Sequence, residues 1–259
     1  NGVSIVVTAR DDAAVATRLA DEIGAFIWDS RDDYVKSLTS FERGIEIALD
    51  TGRKPVIFAD SGDNPGGGGS GRTTGLLSAL LASDAQNILY GSFFDPALAR
   101  DAHARGIGIS FMAVFNQDRN ETAWEQWDEP LGVEATVIGL HHGEIVGRLG
   151  MMAGRKLSLG PCALLEIAGV RVVVISDRAQ TADPVFFEMF DQDIAAAHTI
   201  IVKSRGHFRA GFAPWFEGSN IYEIDTVGLT SPVLSRWDFK NVPQPSFPFQ
   251  TKAEWKKCR

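Results

Sequence analysis

Short apolar runs alternate with amphipathic repeats along the chain, and this alternation predicts an α/β fold. Apolar runs bounded by turn residues predict buried strands at 3–9, 55–60, 87–94, 107–115, 199–204 and 220–226. Helical periodicity with start and stop residues predicts helices at 11–31, 40–49, 73–82, 96–104, 181–190 and 207–216. Two antiparallel hairpins are predicted at 133–150 and 162–176, with turns at His142–Gly143 and Ala168–Gly169. The predicted fold is therefore α/β, with a mixed sheet, flanking helices and an inserted antiparallel hairpin layer.

Composition narrows the functional classes. The 259 residues carry a formal net charge of −8, which argues against broad nucleic-acid binding because phosphate contacts need a basic face. No apolar run reaches the roughly 20 residues needed to span a bilayer, so we expect no membrane partner and a cytoplasmic location. Cys162 and Cys258 are too few for a disulfide framework, and Cys162 is expected to be a small core residue.

Because the chain opens at Asn1 with a strand pattern and no methionine, we expect a piece of a longer protein.

The glycine-rich turn 66-GGGGSGRT-73 lies between a predicted strand and a predicted helix, where free backbone amides commonly bind ligands in α/β proteins. It fits the phosphate-binding loop pattern except that Arg72 replaces the lysine. Asp60 and Asp63 also place negative charge where a phosphate would lie. Three interpretations stay open: a nucleotide site, a plain flexible loop, or a polar wall that meets a substrate or the edge of a metal site. Arg72 is a candidate partner for Asp60 or Asp63.

A second candidate region, 203-KSRGHFR-209, follows another predicted strand. Carboxyl ends of strands converge on one crevice in open α/β sheets, so Lys203, His207 and Arg209 are expected beside the glycine-rich turn. Histidine suits acid–base chemistry near neutral pH. The alternative is structural: Lys203 and Arg209 would neutralise buried carboxylates, and His207 would cap its helix. Arg178, at the end of another strand, is expected to reach the same crevice, and segment 228–232 is expected to close over it.

Other histidines offer no metal site. His141 and His142 are neighbours on a predicted hairpin and point to opposite faces, and His103 is expected to be a solvated helix residue. The chain contains no recognisable zinc-ligand spacing.

Four ordered motifs, ADSGDNPGGGGSGRTT, VVVISDRAQTADP, IVKSRGHFRAGF and DTVGLTSP, resemble the C-terminal domain of microcystinase C-like metallopeptidases, the MlrC family. The resemblance covers roughly residues 52–240. It implies that residues 1–50 close a preceding N-terminal domain, that 51–245 form the C-terminal α/β domain, and that 246–259 are a tail.

The resemblance also implies chemistry. The family's namesake hydrolyses a peptide bond in linearised microcystin with a bound zinc ion, whose ligands are expected in the N-terminal half. This chain would then form one wall of the substrate cleft of a zinc-dependent peptide or amide hydrolase, with the missing N-terminal domain and a peptide or amide small molecule as partners. The chain alone is expected to be inactive.

Site roles are assigned on this hypothesis, with no metal ligand in the chain. The catalytic candidates are His207, Lys203 and Asp63; in the whole protein, His207→Ala and Asp63→Ala are expected to lower turnover without unfolding. The substrate-binding candidates, including the glycine-turn amides, are Asp60, Ser61, Asn64, Gly67, Gly68, Arg72, Thr73, Arg178 and Arg209. Two rival hypotheses remain: a non-catalytic domain that binds an anionic metabolite or nucleotide at the glycine-rich turn, and a domain that mainly forms a homodimer through the aromatic-rich 207–216 segment.

Overall fold

A computed structural model describes residues 3–35, 37–53, 55–119, 126–243 and 246–249. The strands are β1 Val56–Asp60, β2 Ile88–Phe94, β3 Ser110–Phe115, β4 Leu131–His141, β5 Glu144–Val146, β6 Lys156–Ser158, β7 Cys162–Ile167, β8 Val170–Ile175, β9 Thr199–Val202 and β10 Ile221–Ile224. The helices are α1 Ala13–Asp29, α2 Phe41–Leu49, α3 Gly75–Leu81, α4 Pro96–Arg105, α5 Val185–Glu188 and α6 Phe208–Phe212. Cys258 and most of the predicted tail lie outside the described residues.

A mixed sheet of eight strands in the order β10-β1-β9-β2-β8-β7-β4-β3 confirms the predicted fold class. Five strands, from β10 to β8 in that order, are mutually parallel, and β7, β4 and β3 continue the sheet in antiparallel fashion. Both faces of the parallel part are covered, since Phe58 and Ile57, successive residues of β1, belong to two different buried clusters. The carboxyl ends of β1, β2, β8 and β9 consequently lie at one edge of the sheet.

The chain divides into two compact units, residues 38–232 and residues 1–37 with 233–259. The first contains the whole eight-stranded sheet. The second contains α1, whose first turn is capped by Asp12 Oδ1 accepting from the Val15 amide at 2.9 Å. The predicted division at residues 50 and 245 stays a prediction.

Two strand predictions are wrong. Residues 3–9 form no strand, and Val3 and Val6 are 74% and 87% exposed, because no described strand pairs with this apolar run. The predicted hairpin at 133–150 does not form either: β4 pairs with β3 and β7, whereas β5 pairs with β6. Gly143 turns the chain away with φ 83° and packs so closely on Gly160 that an added Cβ would lie 2.0 Å from the Gly160 carbonyl oxygen.

The hairpin at 162–176 is confirmed. Strands β7 and β8 pair antiparallel around Ala168 and Gly169, whose φ angles of 46° and 87° suit a tight two-residue turn. Cys162 is buried in β7, as expected for a core residue.

The aromatic residues of 207–216 point inward. Phe208, Phe212 and Phe216 are buried in the core, and Trp215 is half-buried beside the Arg148 guanidinium, 5.6 Å from the ring centroid. Most of the aromatic side chains of this segment are therefore core residues, and homodimerisation stays a prediction. In the part of the chain that is described, no helix combines the length and apolar character needed to cross a membrane.

Candidate functional site

A buried ion cluster joins the ends of β1 and β9. The side chain of Lys203 is inaccessible to solvent, and its Nζ donates to Asp60 Oδ2 at 2.9 Å and to Asp63 Oδ2 at 2.8 Å. The same ammonium contacts the Thr73 carbonyl oxygen at 3.0 Å and Thr73 Oγ1 at 3.1 Å. The predicted convergence of these two strand ends is therefore correct, and every proton of the Lys203 ammonium has an acceptor within the protein.

Asp63 explains why negative charge lies inside a glycine-rich turn. Its Oδ1 accepts from the Gly71 amide at 2.7 Å, and its Oδ2 accepts from the Thr73 amide at 2.8 Å and from Thr73 Oγ1 at 3.0 Å. Backbone amides that would surround a phosphate in a nucleotide-binding loop are thus directed at a carboxylate of the same chain. The anion bound by the Gly71 and Thr73 amides of this turn is therefore the Asp63 carboxylate.

The remaining glycine amides are also engaged. Gly66 donates to Asn64 Oδ1 at 3.0 Å, Gly67 and Gly69 donate to the Asn64 carbonyl oxygen at 2.9 Å, and Gly68 donates to the Pro65 carbonyl oxygen at 3.2 Å. Each of these amides already has an internal acceptor, so none is free to donate to a ligand in this conformation, and substrate binding at the turn stays a prediction. Gly66, Gly67 and Gly68 are nevertheless exposed, so the turn itself forms part of the surface.

Burial and the nearby Lys203 charge have opposite effects on the pKa values of Asp60 and Asp63. Complete burial raises the pKa of Asp60 above its ordinary value, although Lys203 opposes this. Burial would also raise the pKa of Asp63, but Lys203 and the loop amides outweigh it and hold that pKa below its ordinary value. Burial would lower the pKa of Lys203, yet the two carboxylates raise it well above its ordinary value. Lys203 and Asp63 therefore form a charged pair at neutral pH.

The segment after β10 bonds to the end of β1 and to the residues that follow it, and closure of 228–232 over the crevice stays a prediction. Thr226 Oγ1 donates to Asp60 Oδ1 at 2.6 Å and accepts from the Gly62 amide at 2.7 Å. Thr230 Oγ1 accepts from the Asn64 amide at 2.9 Å and donates to the Ser61 carbonyl oxygen at 3.1 Å. Ser61 is fully buried beneath these contacts, so its side chain does not lie on the surface.

The predicted pairing of Arg72 with Asp60 or Asp63 is wrong. Its Nε donates to Asn116 Oδ1 at 3.0 Å, and its Nη2 forms an ion pair with Asp118. Lys203 already fills the position between the two carboxylates, which leaves the guanidinium of Arg72 to reach the residues that follow β3.

Arg209 pairs with a largely buried carboxylate, as in the structural alternative, and its role in substrate binding stays a prediction. Its Nη2 pairs with Glu223 Oε1 on β10 at 2.9 Å, and Arg205 approaches the other oxygen of Glu223 at 3.6 Å. Arg178 is exposed, and its only hydrogen bond or ion pair among the described residues is a long hydrogen bond of 3.4 Å to the Gly69 carbonyl oxygen. Of the three predicted arginines, Arg72 and Arg209 pair with acidic residues. Arg178 contacts the glycine-rich turn and has no acidic partner in the described part of the chain.

His207 is exposed and lies at the start of α6, but its side chain does not cap that helix. Its Nδ1 bonds to Gln180 Oε1 at 3.0 Å, and Gln180 Nε2 donates to Asn64 Oδ1 at 2.9 Å and to Ser204 Oγ at 2.8 Å. Gln180 therefore links the loops that follow β1, β8 and β9. Gln180 is not among the predicted site residues, although it stands two residues after Arg178 in a strand-end motif.

Asp128 is a second missed residue, in a segment without any motif. It is 1% exposed, accepts from Ser70 Oγ at 2.8 Å through Oδ1, and its Oδ2 has no hydrogen-bond partner among the described residues. Burial, helped by the negative charge of Asp63, raises the pKa of Asp128 to about 6 despite the Ser70 hydrogen bond.

The described residues do not fit a metal ion. They contain no group of three His, Cys, Asp or Glu side chains arranged to hold one, and the Lys203 ammonium occupies the space between Asp60 and Asp63. His103 is part-buried and bonds to the Cys162 carbonyl oxygen at 3.0 Å, instead of being solvated as expected.

Comparison with known proteins identifies the family to which this fold belongs. Residues 58–241 match the family described as the MlrC C-terminus, which covers most of the chain, and the chain belongs to this family. Microcystinase C from Sphingomonas sp. is 27% identical over 214 residues, a match that covers 82% of this chain and 40% of that protein. A crystal structure of a candidate metallopeptidase from Mesorhizobium sp. BNC1 is similar in fold, with a TM-score of 0.79 and 21% identity, over 95% of this chain and 48% of that chain. The chain thus spans less than half the length of both relatives.

Proposed function

We propose that this chain is the C-terminal part of a zinc-dependent peptide or amide hydrolase and that its strand-end surface forms one wall of the substrate cleft. Membership of the MlrC C-terminus family, together with the relatives named above, supports the hydrolase class. In this proposal the metal is held by residues outside this chain, because the described residues offer no ligand set. The metal would supply polarisation of the scissile carbonyl and activation of water.

The observation that carries the proposal is the position of His207 and Arg178 on the rim of the strand-end surface, above a charge cluster that is sealed from solvent. The two side chains offer what a peptide-like substrate needs from a cleft wall. Arg178 offers a guanidinium without an ion-pair partner in the described residues, which suits a substrate carboxylate. His207 offers a ring nitrogen for hydrogen bonding or proton transfer.

Lys203, Asp60 and Asp63 take a different role in the proposal from the one first assigned to them. Their buried, mutually satisfied contacts support the glycine-rich turn and do not touch substrate. Asn64 contributes through its hydrogen bond to Gln180, and Ser61 and Thr73 lie below the surface.

The test measures hydrolysis of a panel of linear peptides and acylated amines by the whole gene product, with and without a chelator, beside the 259-residue chain alone. We expect zinc-dependent release of new amines by the whole protein and none by the chain alone. His207→Ala should lower kcat/KM about 10²-fold, the scale of a lost acid–base group. The control His198→Ala, at the amino end of β9 and therefore at the opposite edge of the sheet, should not change it.

Two results would contradict the proposal. One is full activity of the whole protein after removal of metal. The other is unchanged kinetics in both His207→Ala and Arg178→Ala, which would place the substrate on another surface.

A further inference from the structure

The hydrogen bonds of Gln180 decide which ring nitrogen of His207 is free. We infer that Gln180 is a positioning residue that holds neutral His207 with its proton on Nδ1, so that Nε2 presents a lone pair to a ligand at the strand-end surface. The tautomer follows from the contacts themselves, whereas its use in binding substrate rests on the proposed function.

The deduction starts from a backbone amide, which can only donate. Gly66 N lies 3.0 Å from the Asn64 side chain, so the Asn64 atom that faces it is the oxygen Oδ1. The Gln180 atom 2.9 Å from that oxygen must then be the nitrogen Nε2. This orientation leaves Gln180 Oε1 facing the imidazole.

The last step assigns the proton. Gln180 Oε1 lies 3.0 Å from His207 Nδ1, and an amide oxygen can only accept a hydrogen bond. Nδ1 must therefore carry the hydrogen in this contact, and in the neutral ring Nε2 is the acceptor. His207 is exposed, and within the described residues Nε2 has no partner.

The surroundings of Gln180 hold its amide in this orientation. The residue is 7% exposed, and its Nε2 also donates to Ser204 Oγ at 2.8 Å, so both amide protons are used. Gly66 packs directly on it, since a Cβ at that position would lie 2.3 Å from Gln180 Oε1. A buried amide with each of these bonds satisfied resists reorientation.

The consequence is a specific kind of ligand contact. A neutral His207 with a free Nε2 accepts a hydrogen bond from an N–H or O–H group and cannot donate one through that atom. The amide N–H of a peptide is such a donor, and Arg178, which bonds to the Gly69 carbonyl oxygen of the glycine-rich turn, supplies positive charge for a carboxylate. The substrate class in the proposal is accordingly a peptide-like molecule that places an N–H group against His207.

The experiment is nitrogen NMR of the histidine rings in the 259-residue chain, recorded where the rings are neutral, with His207 assigned from the spectrum of His207→Gln. We expect a protonated Nδ1 and an unprotonated Nε2 for His207. A protonated Nε2 in the wild-type chain would overturn the inference.

Variants test whether Gln180 is the cause. Gln180→Leu should abolish the single Nδ1–H tautomer, whereas Gln180→Glu should keep it, because a carboxylate oxygen accepts the same proton. Gln192→Leu is the matched control: Gln192 bonds to Arg171 and to the Phe190 carbonyl oxygen, away from His207, and its loss should change nothing at that ring. An unchanged tautomer in folded Gln180→Leu would remove Gln180 from this role.

The two hypotheses fail separately. If Gln180→Leu does not fold, the wild-type spectrum and the Gln180→Glu variant still decide the tautomer. If the tautomer is as inferred but His207→Ala keeps full hydrolytic activity, the proposed function fails and the tautomer assignment stands.

Discussion

Two layers of polar residues at the same edge of the sheet differ in burial and in their freedom to bind a ligand. The lower layer, Lys203 with Asp60 and Asp63, is inaccessible to solvent or nearly so and makes all of its contacts inside the protein. The upper layer, His207 and Arg178, is exposed and keeps donors or acceptors without partners in the described residues. Residue types alone make the lower layer look the more catalytic of the two, yet the upper layer is the one that a ligand can reach. A buried cluster of charges at the strand ends can therefore stabilise the loops that carry the exposed, ligand-accessible residues.

The strongest test of this difference removes the cation of the lower layer. Lys203→Met leaves two buried carboxylates without their counter-ion, so we expect a loss of about 3–5 kcal/mol in the free energy of unfolding, the range for breaking a buried ion pair from one side. Urea denaturation followed by circular dichroism measures it. Lys156→Met, at an exposed residue of β6, is the control and should stay within about 0.5 kcal/mol of wild type. A Lys203→Met variant as stable as the control would show that the cluster does not support the loops.

A second test addresses the packing of the closing segment. An added Cβ at Gly62 would lie 2.5 Å from the Thr226 carbonyl oxygen and 2.6 Å from that of Val227, both of which are backbone atoms that cannot move alone. Gly62→Ala should therefore cost about 2–3 kcal/mol of stability, the upper part of the range for overpacking. At Gly218 an added Cβ meets nothing within 4 Å, so Gly218→Ala should be nearly neutral. Equal thermal stability of the two variants would mean that segment 226–230 is not tightly held.

The smallest expected effect concerns Asp128 and depends on pH. Its folded-state pKa of about 6 lies above its ordinary value of 3.8, so the folded protein holds this proton more tightly than the unfolded chain. The stability associated with protonated Asp128 is fully present below about pH 4, where the group is protonated in both the folded and the unfolded state. It is lost as pH rises through about 6, because ionising the buried carboxyl destabilises the folded protein. Asp128→Asn resembles the protonated form, and the pKa difference corresponds to about 3 kcal/mol at pH 7.5. Because the introduced amide carries N–H donors beside an atom that has no partner, we expect a net gain of about 1–2 kcal/mol at pH 7.5 and almost none at pH 4.

Urea titrations of wild type and Asp128→Asn at the two pH values measure that difference. Asp84→Asn, at an exposed position, is the control and should show no pH-dependent difference. A stability difference between Asp128→Asn and wild type that does not vary with pH would contradict the assignment.

The parts of the fold that the sequence predicted well are those governed by local pattern. Helix α4 begins at Pro96 and ends before Gly106, as its start and stop residues indicated, and the β7–β8 hairpin forms around the predicted Ala168–Gly169 turn. The β4–β5 hairpin was wrong because strand pairing depends on which distant strand is available, and alternation of apolar residues cannot specify the partner. Residues 3–9 show the same limit, since an apolar run becomes a strand only when another strand pairs with it.

For the candidate site, the sequence by itself determined that Asp60, Asp63, Lys203 and His207 lie at or just after the ends of strands whose carboxyl ends meet, because the α/β alternation fixes the direction of parallel strands. It also carried the family motifs that the comparison confirmed. Only the tertiary structure decided that Lys203 lies between the two carboxylates, that Arg72 turns to Asp118, and that Gln180 holds the ring of His207. The physical reason is that hydrogen bonds and ion pairs act over about 3 Å, and separations along the chain of 27 to 143 residues say nothing about distances on that scale.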